Sequence, residues 1–257
     1  MINMMKADIQ RIFRTKGIYI TLGILLLIVI STIYGEVEIM STGVEERLIT
    51  FSSELQVPLH MMENTIIISI FMLPIITFIA SIDFSVGTVK NILASGVSRF
   101  SYYTSKLILA YLFAIFIYSF YIIISLAGII LKENLTHIVN LEFYIFIAKP
   151  FLSQLFLILA TTSVGMLLVF TTKKSAIVNG AYLAFLLVPS ILFTMLSQIN
   201  EKFYDLFQYE LVMNLRTITY FPEIPKEDII RILLIGSGYL VISIVGTLFL
   251  FRKSEVK

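Results

Sequence analysis

The feature that most constrains this chain is the placement of its charges. Nineteen Lys and Arg and seventeen Asp and Glu are spread over 257 residues. All of them fall outside six apolar stretches, at about 17–35, 65–82, 107–131, 151–172, 175–200 and 232–251. A helix rises ~1.5 Å per residue, so ~20 residues cross a hydrocarbon core ~30 Å thick. A charged side chain at the centre of such a span costs ~2.5–3.5 kcal/mol on insertion scales. Six stretches free of that penalty predict an all-α integral membrane protein with one domain over residues 1–257.

Composition agrees. The chain is 58% hydrophobic and 14% charged, with mean hydropathy +0.94. Soluble domains carry about 25% charged residues. Without cysteine there is neither a disulfide framework nor a Cys-ligated metal site. His60 and His137 are too few and too far apart to suggest a metal cluster. The first apolar run is about 19 residues long, beyond the ~7–15 of a signal peptide, and its end at Ser31-Thr32-Ile33-Tyr34-Gly35 lacks a small-x-small cleavage pattern. It reads as a retained helix.

Charge also sets an expected orientation. With the N-terminus inside, the inner segments hold Lys6, Arg11, Arg14, Lys16, Lys90, Arg99, Lys106, Lys173, Lys174, Arg252, Lys253 and Lys257. Against these twelve cations stand three acids, Asp8, Asp83 and Glu255. The outer loops hold seven cations and fourteen acids. Lys and Arg are retained on the cytoplasmic side, so an N-in, C-in chain is expected.

The polar segments differ in kind. Residues 4–16 place Met5, Ile9, Ile12 and Phe13 on one helical face with Lys6, Arg14 and Lys16 around it. This predicts a basic amphipathic elbow helix that turns into the first span at Gly17, with a flexible basic tail as the plainer alternative. Residues 36–64 are acidic. Residues 133–149 mix Leu135, Ile138, Val139, Leu141, Phe143 and Tyr144 with polar residues, suggesting a helix at the membrane interface. Residues 201–231 carry Phe203, Tyr204, Phe207, Tyr209, Tyr220 and Phe221 among charges and end in a turn around Pro222 and Pro225. They are either partly embedded or a wet loop with tyrosine anchors.

The segment 83–106 carries the most local information. Gly87-Thr88 can end one helix and start another. Val89, Ile92, Leu93 and Val97 then recur at helical spacing, Gly96 breaks the helix, and Ser98 is a candidate N-cap for the next one. A short amphipathic helix at the tip of two spans is a shape that can press into a partner's groove. It can equally be an ordinary loop that holds charge inside.

Read in full, Asp-Phe-Ser-Val-Gly-Thr-Val-Lys-Asn-Ile-Leu-Ala-Ser-Gly-Val-Ser-Arg at 83–99, followed by Lys106, resembles the acidic-aromatic-x-x-Gly-Thr-x-Lys-x-Leu-Leu-x-x-Gly/Pro-x-Ser-Arg pattern of type-2 ABC exporter permeases. The layout is similar over nearly the whole chain, and the sequence similarity is concentrated in 1–110. It looks most like small Gram-positive antimicrobial-peptide or bacteriocin exporter and immunity permeases. In that family this segment is the coupling helix, which docks on a separate ATP-binding subunit. The resemblance implies that role for Asp83, Gly87, Thr88, Lys90, Asn91, Leu93, Gly96, Ser98, Arg99 and Lys106. Ser85 departs from the pattern, because many relatives carry a second charge there.

Pro74 and Pro189 lie within the second and fifth spans and are expected to kink them. The fifth span also carries the small-residue stripe Ala176, Gly180 and Ala184, with Asn179 and Tyr182 beside it. Spans 2 and 5 line the dimer interface in the resembling family, which makes these positions candidates for a pathway or a dimer contact. Proline and glycine are also simply common in membrane helices. Gly236, Gly238 and Gly246 in the last span are read as packing positions.

No G-x-x-x-x-G-K-[ST] phosphate loop occurs, so the chain is not expected to be an enzyme or to bind a cofactor. The resemblance puts ATP and magnesium in a partner ATPase. It also implies a second permease chain, identical or a sister, in a bacterial cell membrane, with an amphipathic peptide, antibiotic or other hydrophobic substrate and no nucleic acid. Two other classes stay open on the residues alone. One is a channel or carrier independent of ATP. The other is a membrane anchor or sensor that recruits a cytoplasmic partner.

Overall fold

A computed structural model of the chain describes residues 2–43, 62, 65–218 and 224–253. The acidic segment 44–61 and the 221–223 part of the predicted proline turn lie outside the described residues. Among the described residues ten α-helices can be followed: α1 Ile2–Arg14, α2 Lys16–Gly43, α3 Ile66–Ile76, α4 Ile82–Ser85, α5 Thr88–Ala94, α6 Arg99–Lys132, α7 Leu141–Thr172, α8 Ser175–Ile199, α9 Leu211–Thr217 and α10 Lys226–Lys253. A π-helical turn, Thr77–Ser81, joins α3 to α4, and 3₁₀ turns occupy Leu135–Ile138 and Glu201–Tyr209. No strand occurs among the described residues.

Among the described residues six helical segments are long and apolar enough to cross a membrane: Lys16–Tyr34, Ile66–Ser85, Arg99–Lys132, Leu141–Thr172, Ser175–Ile199 and Lys226–Lys253. The six apolar stretches of the sequence are therefore all present as helices. Helices α2, α6 and α7 extend well beyond them. Helix α6 starts at Arg99 because Ser98 caps it, its hydroxyl accepting from the Ser101 N–H at 3.1 Å. At 34 residues it is ~51 Å long, more than the hydrocarbon core requires.

Helix α7 corrects the reading of 133–149 as a separate interfacial helix. Asn140 caps the Phe143 N–H at 2.9 Å, and the helix then runs unbroken through Pro150 to Thr172. Proline removes one backbone bond, and here it does not end the helix. Lys173, at φ 58°, closes it in the left-handed conformation.

Helix α7 is the axis of the fold. Helix α10 packs along it, and α3, α6, α8 and α9 meet its other faces. Close crossings depend on missing side chains. A Cβ at Gly165 would sit 2.6 Å from Ile76 and 3.1 Å from the Tyr182 ring, so α7 meets α3 and α8 there. A Cβ at Gly128 would overlap Ile33 of α2. Gly236 packs on Leu157 and Phe156, as the packing reading expects, but Gly238 has nothing within 4 Å and is not such a position.

The chain folds so that α1, the 83–99 turn, the 173–174 link and the end of α10 share one end of the bundle. Arg11 and Lys106 meet Asp83, Ser81 meets Ser175 at 2.8 Å, and Arg99 reaches Phe251. At the opposite end, buried Gln154 joins three other segments: its amide donates to the Met62 and Leu215 carbonyls, and its oxygen accepts from Tyr118.

Candidate functional site

The turn after α4 is set by backbone chemistry. Gly87 adopts φ +75° and Gly96 φ +92°, and a Cβ at either would meet open space. Conformation, not room, therefore selects glycine at both. Between them stands α5. Gly87 is its N-cap and Thr88 its first residue. Val89 is buried, and Ile92, Leu93 and Val97 pack partly against the core. Lys90, Asn91, Ala94 and Ser95 are exposed, as are Val86 (74%) and Phe100 (64%) at the two shoulders.

Beneath this turn lies a cluster of four charges. Lys106 is fully buried and places Nζ 2.6 Å from Oδ2 of Asp8 and 2.6 Å from Oδ2 of Asp83. Arg11 pairs with Asp83 through Nη1 and with Asp8 through Nη2 at 3.2 Å. The Tyr102 hydroxyl donates to Asp83 at 2.9 Å. Two carboxylates and two cations balance, which is what lets the group be buried. Burial pushes the Asp8 carboxyl above its ordinary value and repulsion from Asp83 adds to this, outweighing the pull of Lys106 and Arg11. For Arg11 burial works against the charge, but the Asp83 carboxylate prevails and raises its pKa further. A wall of rings shields the cluster: Phe170 meets Phe84 at 5.3 Å, Tyr103 at 5.1 Å and Phe251 at 4.9 Å.

The π turn links this cluster to α3. Arg11 Nη2 donates to the carbonyls of Phe78 (3.0 Å) and Ile79 (3.3 Å) inside it. Thr77 donates to Asn179 of α8 at 3.0 Å. The break predicted at Pro74 is thus a widened turn three residues further on, a form common at functional sites.

The structure divides the residues singled out by the motif. Lys90, Asn91 and Gly96 are exposed, and Ser98 caps α6. Asp83 and Lys106 belong to the buried cluster and offer no surface to a partner. Arg99 donates to the carbonyls of Phe251 (2.6 Å) and Arg252 (2.8 Å), so it holds the end of α10. On α8, Ala176, Gly180 and Ala184 are exposed in the single chain, whereas Tyr182 is buried against Gly165. Pro189 lines a cavity at the far end with Glu210.

Asp8, Arg11, Gln154 and Glu210 carry much of this geometry and were not singled out by sequence. In the sequence Asp8 and Arg11, at i and i+3, count only as inner charges. The inward face of α1 in fact runs through Met4, Asp8, Arg11 and Ile12, while Phe13 is half exposed and rests near Phe113.

No protein-family model, no curated protein and no solved structure matches this chain.

Proposed function

We propose that this chain is the membrane-spanning permease subunit of an ABC exporter, N-in and C-in, driven by a separate ATP-binding subunit. In this reading α5 is the coupling helix and α1 the elbow helix. The observation that carries the proposal is the build of the 86–98 turn: a seven-residue helix fixed at both ends by left-handed glycines, exposed on its outer side and rooted in a buried ion cluster. A tip of this kind transmits force, because its base cannot give way without breaking buried charge pairs. The base also reaches α1, the π turn and, through Thr77 and Asn179, helix α8. Motion at the tip would therefore reach two membrane helices, α3 and α8. The exposed small-residue face of α8, Ala176, Gly180 and Ala184, suits close approach of a second permease chain. The substrate expected of such a path is an amphipathic peptide, antibiotic or other hydrophobic molecule.

The test is purification of the tagged chain from its own membrane in mild detergent, with its stoichiometric partners identified by mass spectrometry. A phosphate-loop ATPase at about one copy per permease, lost in Lys90→Glu, supports the proposal. A chain that emerges alone under several mild conditions, and moves solute by itself in liposomes, overturns it.

A further inference from the structure

We propose that the cavity bounded by Glu210 is a binding site for an organic cation, an ammonium or guanidinium group on an apolar body. The cavity measures about 320 Å³ and lies between α8, α10 and the segment that joins them. Its aromatic lining is supplied by Phe185 and Phe193 of α8, Tyr209 of the Glu201–Tyr209 turn and Tyr239 of α10. Phe185 and Tyr239 face each other edge-on with centroids 6.1 Å apart. At a water's share of ~30 Å³, the volume equals about ten waters, enough for a quaternary ammonium and part of its tail.

A single carboxylate stands among these rings. Glu210 is 5% exposed. Its Oε1 accepts from the Ser190 hydroxyl, and its Oε2 is buried without any hydrogen-bond partner. An unpaired acceptor in such a place costs free energy, and a charged one costs more. Burial raises the Glu210 pKa, and the hydrogen bond from Ser190 and the nearby Arg216 reverse this only in part. A cation in the cavity would satisfy the oxygen and restore its charge. Rings around a carboxylate are also the recognition chemistry of quaternary ammonium groups. Ser190 lies fifteen residues along α8 from Ser175, a rise of ~22 Å from the end of α8 that meets Ser81, so this site is separate from the turn. Tyr209, 56% exposed, stands at the rim and marks the way in.

The inference does not rest on an ATPase, since it concerns binding by this chain. The same chemistry could come from a soluble amphiphile or from a choline lipid headgroup. The experiment measures binding of radiolabelled decyltrimethylammonium to the full chain in nanodiscs of phosphatidylglycerol, with empty discs subtracted. Wild type should bind saturably, Glu210→Gln tenfold or more weakly, and Tyr239→Leu several-fold more weakly. Glutamine keeps the acceptor for Ser190, and the melting temperature of each variant verifies folding. Phosphatidylcholine in the discs should compete if the headgroup is the natural occupant, and leave binding unchanged if the occupant is a soluble amphiphile. Equal binding by wild type and Glu210→Gln, or none above empty discs, overturns the proposal.

Discussion

Lys106 holds its ammonium 2.6 Å from the Asp83 carboxylate, joining the two helices that flank the 86–98 turn. The pair lies at the mouth of a hairpin, so it fixes the separation of α4 and α6 whatever the tip does. Removing one partner leaves a buried charge without compensation, which costs ~3–5 kcal/mol. Lys106→Met is expected to destabilise by about that much, read as a lowered thermal or denaturant midpoint in detergent. The double variant Asp8→Asn/Lys106→Met should recover part of the loss, because Arg11 then faces one carboxylate instead of two. If Lys106→Met alone is neutral, the cluster does not support the fold.

The Glu210 carboxyl makes a prediction with a defined sign. Burial raises its pKa above the ordinary value, so between the ordinary and the raised value the folded chain holds a proton that the unfolded chain has released. Stability then falls as pH rises through that window and stays lowered above it. Glu210→Gln should leave the melting temperature unchanged at pH 4 and raise it at pH 8, with no cation present. A variant that melts lower than wild type at pH 8 would contradict the burial of an unpaired charge.

Close packing at Gly165 gives a paired prediction. Gly165→Val forces side-chain atoms into Ile76 and Tyr182 and should destabilise by ~1–3 kcal/mol. Gly180→Val meets nothing within 4 Å in the single chain and should leave the midpoint nearly unchanged. If α8 is a dimer face, the same Gly180 variant should weaken self-association in crosslinking or single-molecule photobleaching. A large loss of stability in Gly180→Val would show that face to be covered within one chain.

The six spans were legible because insertion depends on local composition, and no tertiary contact can rescue a charge-rich segment in lipid. The 86–98 turn was legible for a related reason: Gly87, Gly96 and Ser98 act through their own backbone, within a few residues. The ion cluster was not, because it joins residues up to 98 apart in sequence. Asp8 and Arg11 look like solvated charges until α6 brings Lys106 to them. Gln154 was hidden in the same way, as one polar residue in an apolar run whose four hydrogen-bond partners come from three other segments. Pro74 was visible as a break, but its form depended on Arg11, which takes up carbonyls of the π turn.

The contacts of Arg99 decide which substitution can test coupling. Its guanidinium binds two carbonyls at the end of α10 and lies 5.7 Å from the Phe251 ring. Cations at a helix C-terminus are stabilising, and an acid there is repelled by the same carbonyls. Arg99→Glu is therefore expected to loosen the end of α10, seen as faster hydrogen exchange over 245–253, and to lose function through that damage alone. Lys90 stands exposed on α5, so Lys90→Glu should leave the melting temperature and the exchange pattern unchanged. Under the coupling reading it should nonetheless reduce ATPase copurification tenfold or more. Retained copurification in Lys90→Glu, and in Asn91→Asp beside it, would move the contact away from α5.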